Sequence, residues 1–202
     1  IRKEEAHKSA QLISANYFCL ESKDIFIFYN RETLIKTIKL IRKVKPKIVF
    51  THSPTDYMVD HEITSKLVRT ACFSAGMPNI SIKGVDPFNY IPYLYYADPL
   101  DGKDIFGKKI DPDIIIDISK TIQKKEEMLI CHESQREWLK THHGIDEYVI
   151  AMKRQSKLRA NIINSQFAEG LRQHLGHAFP QDNILKMILG YNVYDEKYNE
   201  NI

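Results

Sequence analysis

Apolar residues follow two spacings along the chain, one helical and one typical of short strands. A stripe of apolar residues from Leu34 to Val44 predicts a helix over residues 31–45, which Pro46 ends. Ile48-Val49-Phe50 predicts a buried strand directly afterwards. A second stripe, from Ile63 to Cys72, predicts a helix over about residues 60–75. A polar loop therefore joins the end of a strand to the start of a helix.

The remaining segments repeat this alternation of helix and strand. Strands are predicted at residues 92–96 and 114–118, with a short strand or extended segment at residues 25–28. Helices are predicted at residues 2–14, 119–131, around Trp138, and through most of residues 145–175. We therefore predict an α/β fold, a Rossmann-like and mostly parallel sheet flanked by helices. We expect one domain over residues 1–202, in which residues 180–202 are a polar, partly ordered tail.

Composition narrows the class of protein. The chain has 202 residues, of which 43% are hydrophobic and 27% charged, as in ordinary globular proteins. A net charge of +3, with basic and acidic residues interleaved, does not favour nucleic acid as a partner. No apolar run reaches the roughly 18 residues of a membrane span. Cys19, Cys72 and Cys131 each stand in an apolar stretch, which predicts reduced, buried thiols and a cytoplasmic protein.

The loop after the strand at residues 48–50 carries the strongest candidate chemistry. His61 falls at the start of the following helix, and Asp60 beside it could orient its imidazole or cap the helix. Asp56 could form an Asx-turn, and His52 could be a loop or a pocket residue. Loops at the carboxyl ends of strands are where open α/β sheets bind ligands. A metal held by His52, Asp56 and His61 together is a further, weaker possibility.

A second polar group spans residues 117–135. Asp117 ends a predicted strand and Ser119 could cap the next helix, while His132 and Gln135 lie one turn apart. By spacing alone, capping and loop hydrogen bonds explain this group. Arg2 and Glu5, three residues apart on the first helix, predict a local ion pair.

Together these segments resemble the PIG-L/LmbE-like family of zinc-dependent de-N-acetylases. The resemblance covers Arg2 to about Gly176, and its four motifs stand in the family's order. Residues 2–6 match the family motif R-x-x-E-A, and residues 54–61 resemble its motif P-x-D-x-H-x-D-H. The third motif, D-I-S…K…H-x-S-Q, resembles residues 117–119, then Lys124 or Lys125, then residues 132–135. The fourth is a recurring A-E pair, which residues 168–169 fit.

The resemblance implies a Rossmann-like enzyme that hydrolyses the acetamide of N-acetylglucosamine-type substrates with Zn²⁺. It implies that His61 is a zinc ligand and that Asp60 supports the catalytic centre beside it. Arg2 would help to hold the substrate, and we place Asp56 and His132 with it on the substrate side. The expected partner is an N-acetylated amino sugar, and a homo-oligomer is expected only by analogy.

The sequence departs from the family in two places. The signature H-P-D-D, which supplies two zinc ligands and the general base, does not occur, so we expect a first strand to be missing before residue 1. Met58 stands where the family has a histidine that stabilises the oxyanion, and methionine cannot donate a hydrogen bond. These departures leave a second hypothesis open, a catalytically inactive sugar-binding or interaction module of the same fold.

Overall fold

The computed structural model describes residues 1–143 and 147–195. The side chains of His142 and His143, which we predict to be a surface pair, lie outside this description. The helices are α1 Arg2–Gln11, α2 Arg31–Val44, α3 Val59–Ser74, α4 Ile122–Ile130, α5 Glu133–His143, α6 Glu147–Ile163 and α7 Ile184–Leu189, and the strands are β1 Ile48–Thr51, β2 Tyr93–Ala97, β3 Ile114–Asp117, β4 Ala168–Gln173 and β5 Val193–Asp195.

The chain forms two compact units. The first consists of Ile1–Cys19 and Ile116–Glu169, and the second of Leu20–Ile115 and Gly170–Ile202. The first unit holds α1, α4, α5 and α6, and the second holds α2, α3, α7, β1, β2 and β5. The expectation of one domain over residues 1–202 stays a prediction.

The strands form a five-stranded sheet in the order β1-β2-β4-β3-β5, and the α/β fold is confirmed. β1 and β2 are parallel, as the sequence pattern predicts, and Thr51 lies opposite Tyr96. β2 and β4 are antiparallel, with Tyr96 opposite Arg172. The sheet is therefore mixed at these two pairings, one parallel and one antiparallel, where we predicted a mostly parallel sheet.

The second unit is built around α2 and α3, which pack on each other and on the sheet. α2 begins after Asn30, whose side-chain oxygen accepts the Thr33 N–H at 2.9 Å, and it ends at Lys45 in the left-handed conformation (φ 50°). α3 begins at Val59, close to the predicted position. The buried cluster between these elements consists of Ile38, Ile41, Ala71, Cys72, Ala75, Phe88, Leu94, Tyr96 and Phe179.

The cysteines differ from the prediction. Cys72 is fully buried in this cluster, and burial raises the pKa of its thiol to about 12. Cys131 is half-buried, but Cys19 is exposed, so the prediction of a buried thiol is wrong for Cys19. An apolar sequence neighbourhood does not bury a residue when the segment itself lies on the surface.

Arg42 ties the end of α3 to the core. Its guanidinium is 1% exposed and donates to the carbonyl oxygens of Ala75 (2.9 Å), Met77 (2.8 Å) and Ile80 (2.6 Å). The carbonyls at the end of a helix lack partners within the helix, and these bonds satisfy part of that need in the segment that follows α3.

The chain after residue 163 differs most from the prediction. We expect helix through most of residues 145–175, but α6 ends at Ile163 and Ala168–Gln173 is a strand. Gly170 allows this strand to approach its neighbours, since a Cβ there would lie 2.3 Å from Asp98 Oδ2. The predicted tail contains α7 and β5, with Leu185 and Val193 buried. Residues 196–202 lie outside the description, and the predicted segment at residues 25–28 forms no strand.

Across the described residues, the helices are all too short or too polar to cross a membrane.

Candidate functional site

The loop between β1 and α3 is anchored by a buried serine. Ser53 is fully buried, and Arg172 Nη2 of β4 donates to its Oγ at 2.7 Å. Asp56 is 4% exposed, and its backbone N–H donates to Glu62 Oε1 at 3.0 Å. The loop is therefore held at both ends, by the sheet and by the first turn of α3.

His61 is paired with Asp56. The distance from His61 Nδ1 to Asp56 Oδ1 is 2.9 Å, and the same carboxylate oxygen accepts the Met58 N–H at 3.1 Å. The second contact is the Asx-turn that the sequence predicts for Asp56. A carboxylate on one ring nitrogen orients an imidazole and leaves the other nitrogen for a metal or a substrate. Asp56 thus positions His61.

Two aromatic rings pack against this imidazole. His52 stacks on His61 with ring centroids 4.2 Å apart and an interplanar angle of 3°, and Tyr57 meets His61 edge-on at 5.6 Å. The pKa of His52 is lowered, first because its surroundings exclude water and then because His61 lies beside it, while the Asp56 carboxylate opposes the change. Burial, and to a lesser extent Asp56, raises the pKa of Tyr57. The lowered pKa of His52 favours its neutral form.

Asp60 has a different role from those weighed in the sequence. It is the second residue of α3, it is 4% exposed, and its Oδ2 accepts the Ile25 N–H at 2.5 Å. It does not cap the helix, whose first residue is Val59. The carboxylate that orients His61 is therefore Asp56, and Asp60 ties the residue 25 segment to α3. The reason is spacing, because neighbouring helical residues point in directions about 100° apart.

His61 can supply one ligand to a zinc ion, but a complete ligand set is not formed here. Within residues 1–143 and 147–195, no three His, Cys, Asp or Glu side chains are grouped so that they could hold a metal. His52, Asp56 and His61 are neighbours, yet the two imidazoles are stacked face to face and do not converge on one point. The possibility that these three residues form a metal site is wrong. The described residues fit zinc only in part.

The first unit has its own polar cluster, where α1 meets the start of α5. Arg2 Nη2 donates to Gln135 Oε1 at 3.0 Å. Glu5 accepts the Ser134 N–H at 2.8 Å and the Ser134 hydroxyl at 2.7 Å. These bonds from Ser134, first the backbone bond and then the hydroxyl bond, lower the pKa of the Glu5 carboxyl. The R-x-x-E-A and H-x-S-Q segments are therefore direct partners, which the predicted Arg2–Glu5 pair does not capture.

His132 lies in the turn between α4 and α5 and lines a cavity of about 490 Å³ within the first unit. The cavity has apolar walls from Ile13, Met128 and other side chains, and its polar rim includes Lys125 and Glu169, paired at 2.6 Å. Glu169 of the A-E pair and Lys125 of the D-I-S…K…H-x-S-Q motif are thus in contact at this cavity.

Asp117 and Ser119 form a local turn near the same part of the first unit. Asp117 Oδ1 accepts the Ser119 N–H at 2.8 Å and its hydroxyl at 2.5 Å. Ser119 does not cap α4, which begins at Ile122. The loop hydrogen bonding that we weighed for this pair is what the structure shows.

The structure groups the predicted residues into two separate sets. His61, Asp56, Asp60 and His52 belong to the second unit, and Arg2 and His132 belong to the first. Sequence analysis did not single out Arg172, which anchors Ser53. A single arginine in a segment predicted to be helical belongs to no motif that would indicate such a contact. It also missed Glu5 as the partner of Ser134, although both residues stand in the quoted motifs.

Comparison with known proteins identifies the first part of the chain. Residues 1–72, which include α1, the loop after β1 and His61, match the sequence model of PIG-L, GlcNAc-PI de-N-acetylase. Over these residues the chain is therefore similar to the PIG-L family. The family prediction made from the motifs is confirmed.

The chain also resembles a hydratase. It is 25% identical over 181 residues to 4-oxalmesaconate hydratase of Pseudomonas putida KT2440, an alignment that covers 85% of this chain and 65% of the hydratase. The chain thus spans a little less than two thirds of this relative.

Solved structures share the fold. A conserved protein from Thermus thermophilus has a TM-score of 0.70 and 20% identity, over 89% of this chain and 75% of that one. N,N'-diacetylchitobiose deacetylase from Pyrococcus horikoshii has a TM-score of 0.67 and 21% identity, over 90% of this chain and 67% of that one. These likenesses show that the chain shares its fold with both proteins over most of its length.

Proposed function

We propose that this chain serves a metal-dependent hydrolase that removes the N-acetyl group from an N-acetylglucosamine-type substrate. One observation carries the proposal: His61, inside the PIG-L segment, is oriented by Asp56 at the carboxyl end of β1. A buried carboxylate on Nδ1 favours the tautomer that carries hydrogen at Nδ1 and leaves the Nε2 lone pair available.

The other candidate residues take supporting roles in this proposal. Arg2 binds substrate hydroxyls through its guanidinium, with Gln135 holding the side chain. His132 contributes to the substrate side, next to the cavity of the first unit. Asp60 positions the segment around residue 25 against α3 and is not itself placed on the reacting atoms. Zinc is the proposed cofactor, with His61 as the ligand from this chain, and it would activate water and polarise the acetamide carbonyl.

A hydratase is the second candidate. The observation that favours it is the likeness to 4-oxalmesaconate hydratase together with Met58, which replaces the histidine expected for an amide oxyanion. Hydration adds water to a carbon–carbon double bond, so no tetrahedral amide intermediate forms and that donor is not required. His61 and Asp56 would keep the same roles in both reactions.

The test combines metal content and turnover, on protein expressed from its complete coding sequence. We expect about one zinc per chain by elemental analysis. His61→Ala should lose it, whereas His7→Ala, which removes an exposed histidine from α1, should keep it. Metal that survives His61→Ala would contradict the role of His61.

The same protein is then given N-acetylglucosamine derivatives and, separately, 4-oxalmesaconate. Release of acetate that a chelator abolishes supports the deacetylase. Loss of 4-oxalmesaconate without acetate release from any amide supports the hydratase. Sugar binding with neither reaction, in protein that retains its fold, supports the inactive binding module and contradicts both enzymes.

A further inference from the structure

A second cleft lies in the second unit, on the later turns of α3. It has a volume of about 340 Å³ and is lined by Arg69, Thr70, Phe73, His174, His177 and Phe179. This volume falls within the range of small-ligand pockets. Arg69 follows His61 by eight residues on the same helix, about 12 Å along its axis. The metal ligand proposed above and this cleft are therefore at different places on α3.

His174 and Phe179, which line the cleft, are held in place by hydrogen bonds and ring contacts. His174 Nδ1 lies 3.0 Å from the Tyr96 hydroxyl, and the His174 backbone N–H donates to the Leu94 carbonyl at 2.8 Å. The His174 ring meets the Phe179 ring edge-on at 4.3 Å, and Phe179 is 6% exposed within the core cluster. Gln181 Nε2 donates to the Phe179 carbonyl at 2.7 Å. The imidazole and the phenyl ring are thus held before any ligand arrives.

The charge in the cleft is positive and uncompensated. Arg69 is close enough to Tyr96 to oppose the burial that raises the pKa of this phenol, and in the described part of the chain Arg69 forms no ion pair with a carboxylate. None of the six lining side chains is acidic. Burial, and then the Arg69 cation, lower the pKa of His174, so the site already disfavours a further positive charge. An anion at this position would instead be attracted by the Arg69 cation.

Two aromatic walls limit the shape of the ligand. Phe73 and Phe179 stack with ring centroids 6.4 Å apart and an interplanar angle of 25°. Phe73 is 41% exposed, which leaves part of its ring available for contact, while Phe179 is buried and packs against His174. A flat apolar group can pack against Phe73 while an anionic group reaches the guanidinium.

We propose that this cleft binds a small aromatic carboxylate. The guanidinium of Arg69 and the imidazoles of His174 and His177 hold the carboxylate, and Phe73 contacts the ring. Recognition combines a fixed fork of N–H donors with an apolar wall, and neither element alone gives the preference. The proposal does not depend on the reaction at His61.

The test is direct binding of benzoate to the intact protein by calorimetry, with benzyl alcohol and inorganic phosphate as comparison probes. Benzoate should bind, and both comparison probes should bind at least tenfold more weakly. The NMR signals of the His174 imidazole should shift as benzoate is added. Equal binding of phosphate and benzoate would contradict the aromatic contact, and no binding of benzoate would overturn the proposal.

Matched variants on α3 separate a specific site from general charge. Arg69→Gln should weaken benzoate binding at least tenfold. Lys66→Gln removes the same charge one turn earlier, from an exposed side chain that lies over Tyr29, and should leave the affinity unchanged within twofold. Equal weakening by both variants would show nonspecific attraction and contradict the site.

Phe73→Leu tests the apolar wall, and an unchanged benzoate affinity would exclude Phe73 from the site. Circular dichroism of each variant checks that α3 remains folded.

Discussion

The two polar clusters of this protein are built in opposite ways. The cluster at the end of β1 comes from one short stretch of chain, in which His61 and Asp56 are five residues apart. The cluster on α1 joins residues that are 129 positions apart, Glu5 and Ser134. The first is a local turn that orients one imidazole, and the second is a long-range contact that fixes one helix against another. Changes to the His61–Asp56 pair should therefore alter ligand geometry, and changes to the Glu5–Ser134 contact should alter stability.

The largest expected effect is on metal affinity. Asp56→Asn removes the negative charge beside His61 Nδ1 and should lower zinc affinity about 10- to 100-fold, because partners of this kind orient the ligand and raise its basicity. The measurement is competitive titration with a chelator that reports free zinc. Asp60→Asn is the matched control, since its carboxylate accepts the Ile25 N–H and does not contact the imidazole in this structure. If Asp60→Asn weakened binding as much as Asp56→Asn, the orienting role would return to Asp60.

A smaller effect should follow from loosening the loop that carries this pair. Ser53→Ala removes a fully buried hydroxyl that accepts from Arg172 Nη2, and hydrogen bonds to charged groups contribute about 1.5–3 kcal/mol. The free energy of unfolding, from denaturant titration, should fall by this amount. Thr55→Ala alters an exposed side chain of the same loop and should change it by less than about 0.5 kcal/mol. Equal effects would mean that Ser53 does not anchor the loop.

The long-range cluster should respond to pH. Bonds from Ser134 hold the pKa of Glu5 below its ordinary value of 4.5, so the unfolded chain binds the proton more readily than the folded chain. This contribution to stability is complete above about pH 4.5 and is lost as the pH falls through the lowered value in the folded state. Glu5→Gln should therefore lower the denaturation midpoint at pH 7 and have a smaller effect near pH 3. A difference from wild type that is the same at both pH values would contradict the role of the ionised carboxylate.

The smallest effect is expected for a local ion pair on the surface of the first unit. Lys124 pairs with Glu127 on α4, and both side chains are nearly half exposed. Lys124→Ala should lower the free energy of unfolding by only about 0.2–0.5 kcal/mol, as is usual for pairs three residues apart on a helix. Denaturant titration of this variant gives the reference against which Glu5→Gln is judged. A loss from Lys124→Ala as large as that from Glu5→Gln would remove the distinction between local and long-range contacts.

Local patterns predicted the helices and the first strand of the second unit well. α2, β1 and α3 lie within a few residues of their predicted bounds, because apolar periodicity and stop signals such as Pro46 act within one or two turns. The same reasoning failed at Ala168–Gln173, where tertiary packing overrides a helical pattern and Gly170 permits a close approach. It also failed for Leu185 and Val193, which are buried although residues 180–202 were predicted to be a polar tail.

The candidate site was predicted to a similar extent. Its place after β1 followed from the sequence, since a dense run of titratable residues at a strand end is visible without a structure, and the role of His61 stays a prediction. The choice between Asp56 and Asp60 could not be made, because both are close to His61 and only the helix start decides which carboxylate reaches the ring. The stacking of His52 on His61 likewise could not be predicted from the order of residues in the sequence.

The sequence by itself determined the α/β class, the helices that have clear apolar stripes, and the likeness of the first part of the chain to the PIG-L family. The tertiary structure decided the antiparallel pairing of β4, the partner of Glu5, the anchor of Ser53 and the cleft around Arg69. The physical reason is range. Periodicity and capping act between residues a few positions apart, whereas these contacts join residues brought together only when the whole chain has folded.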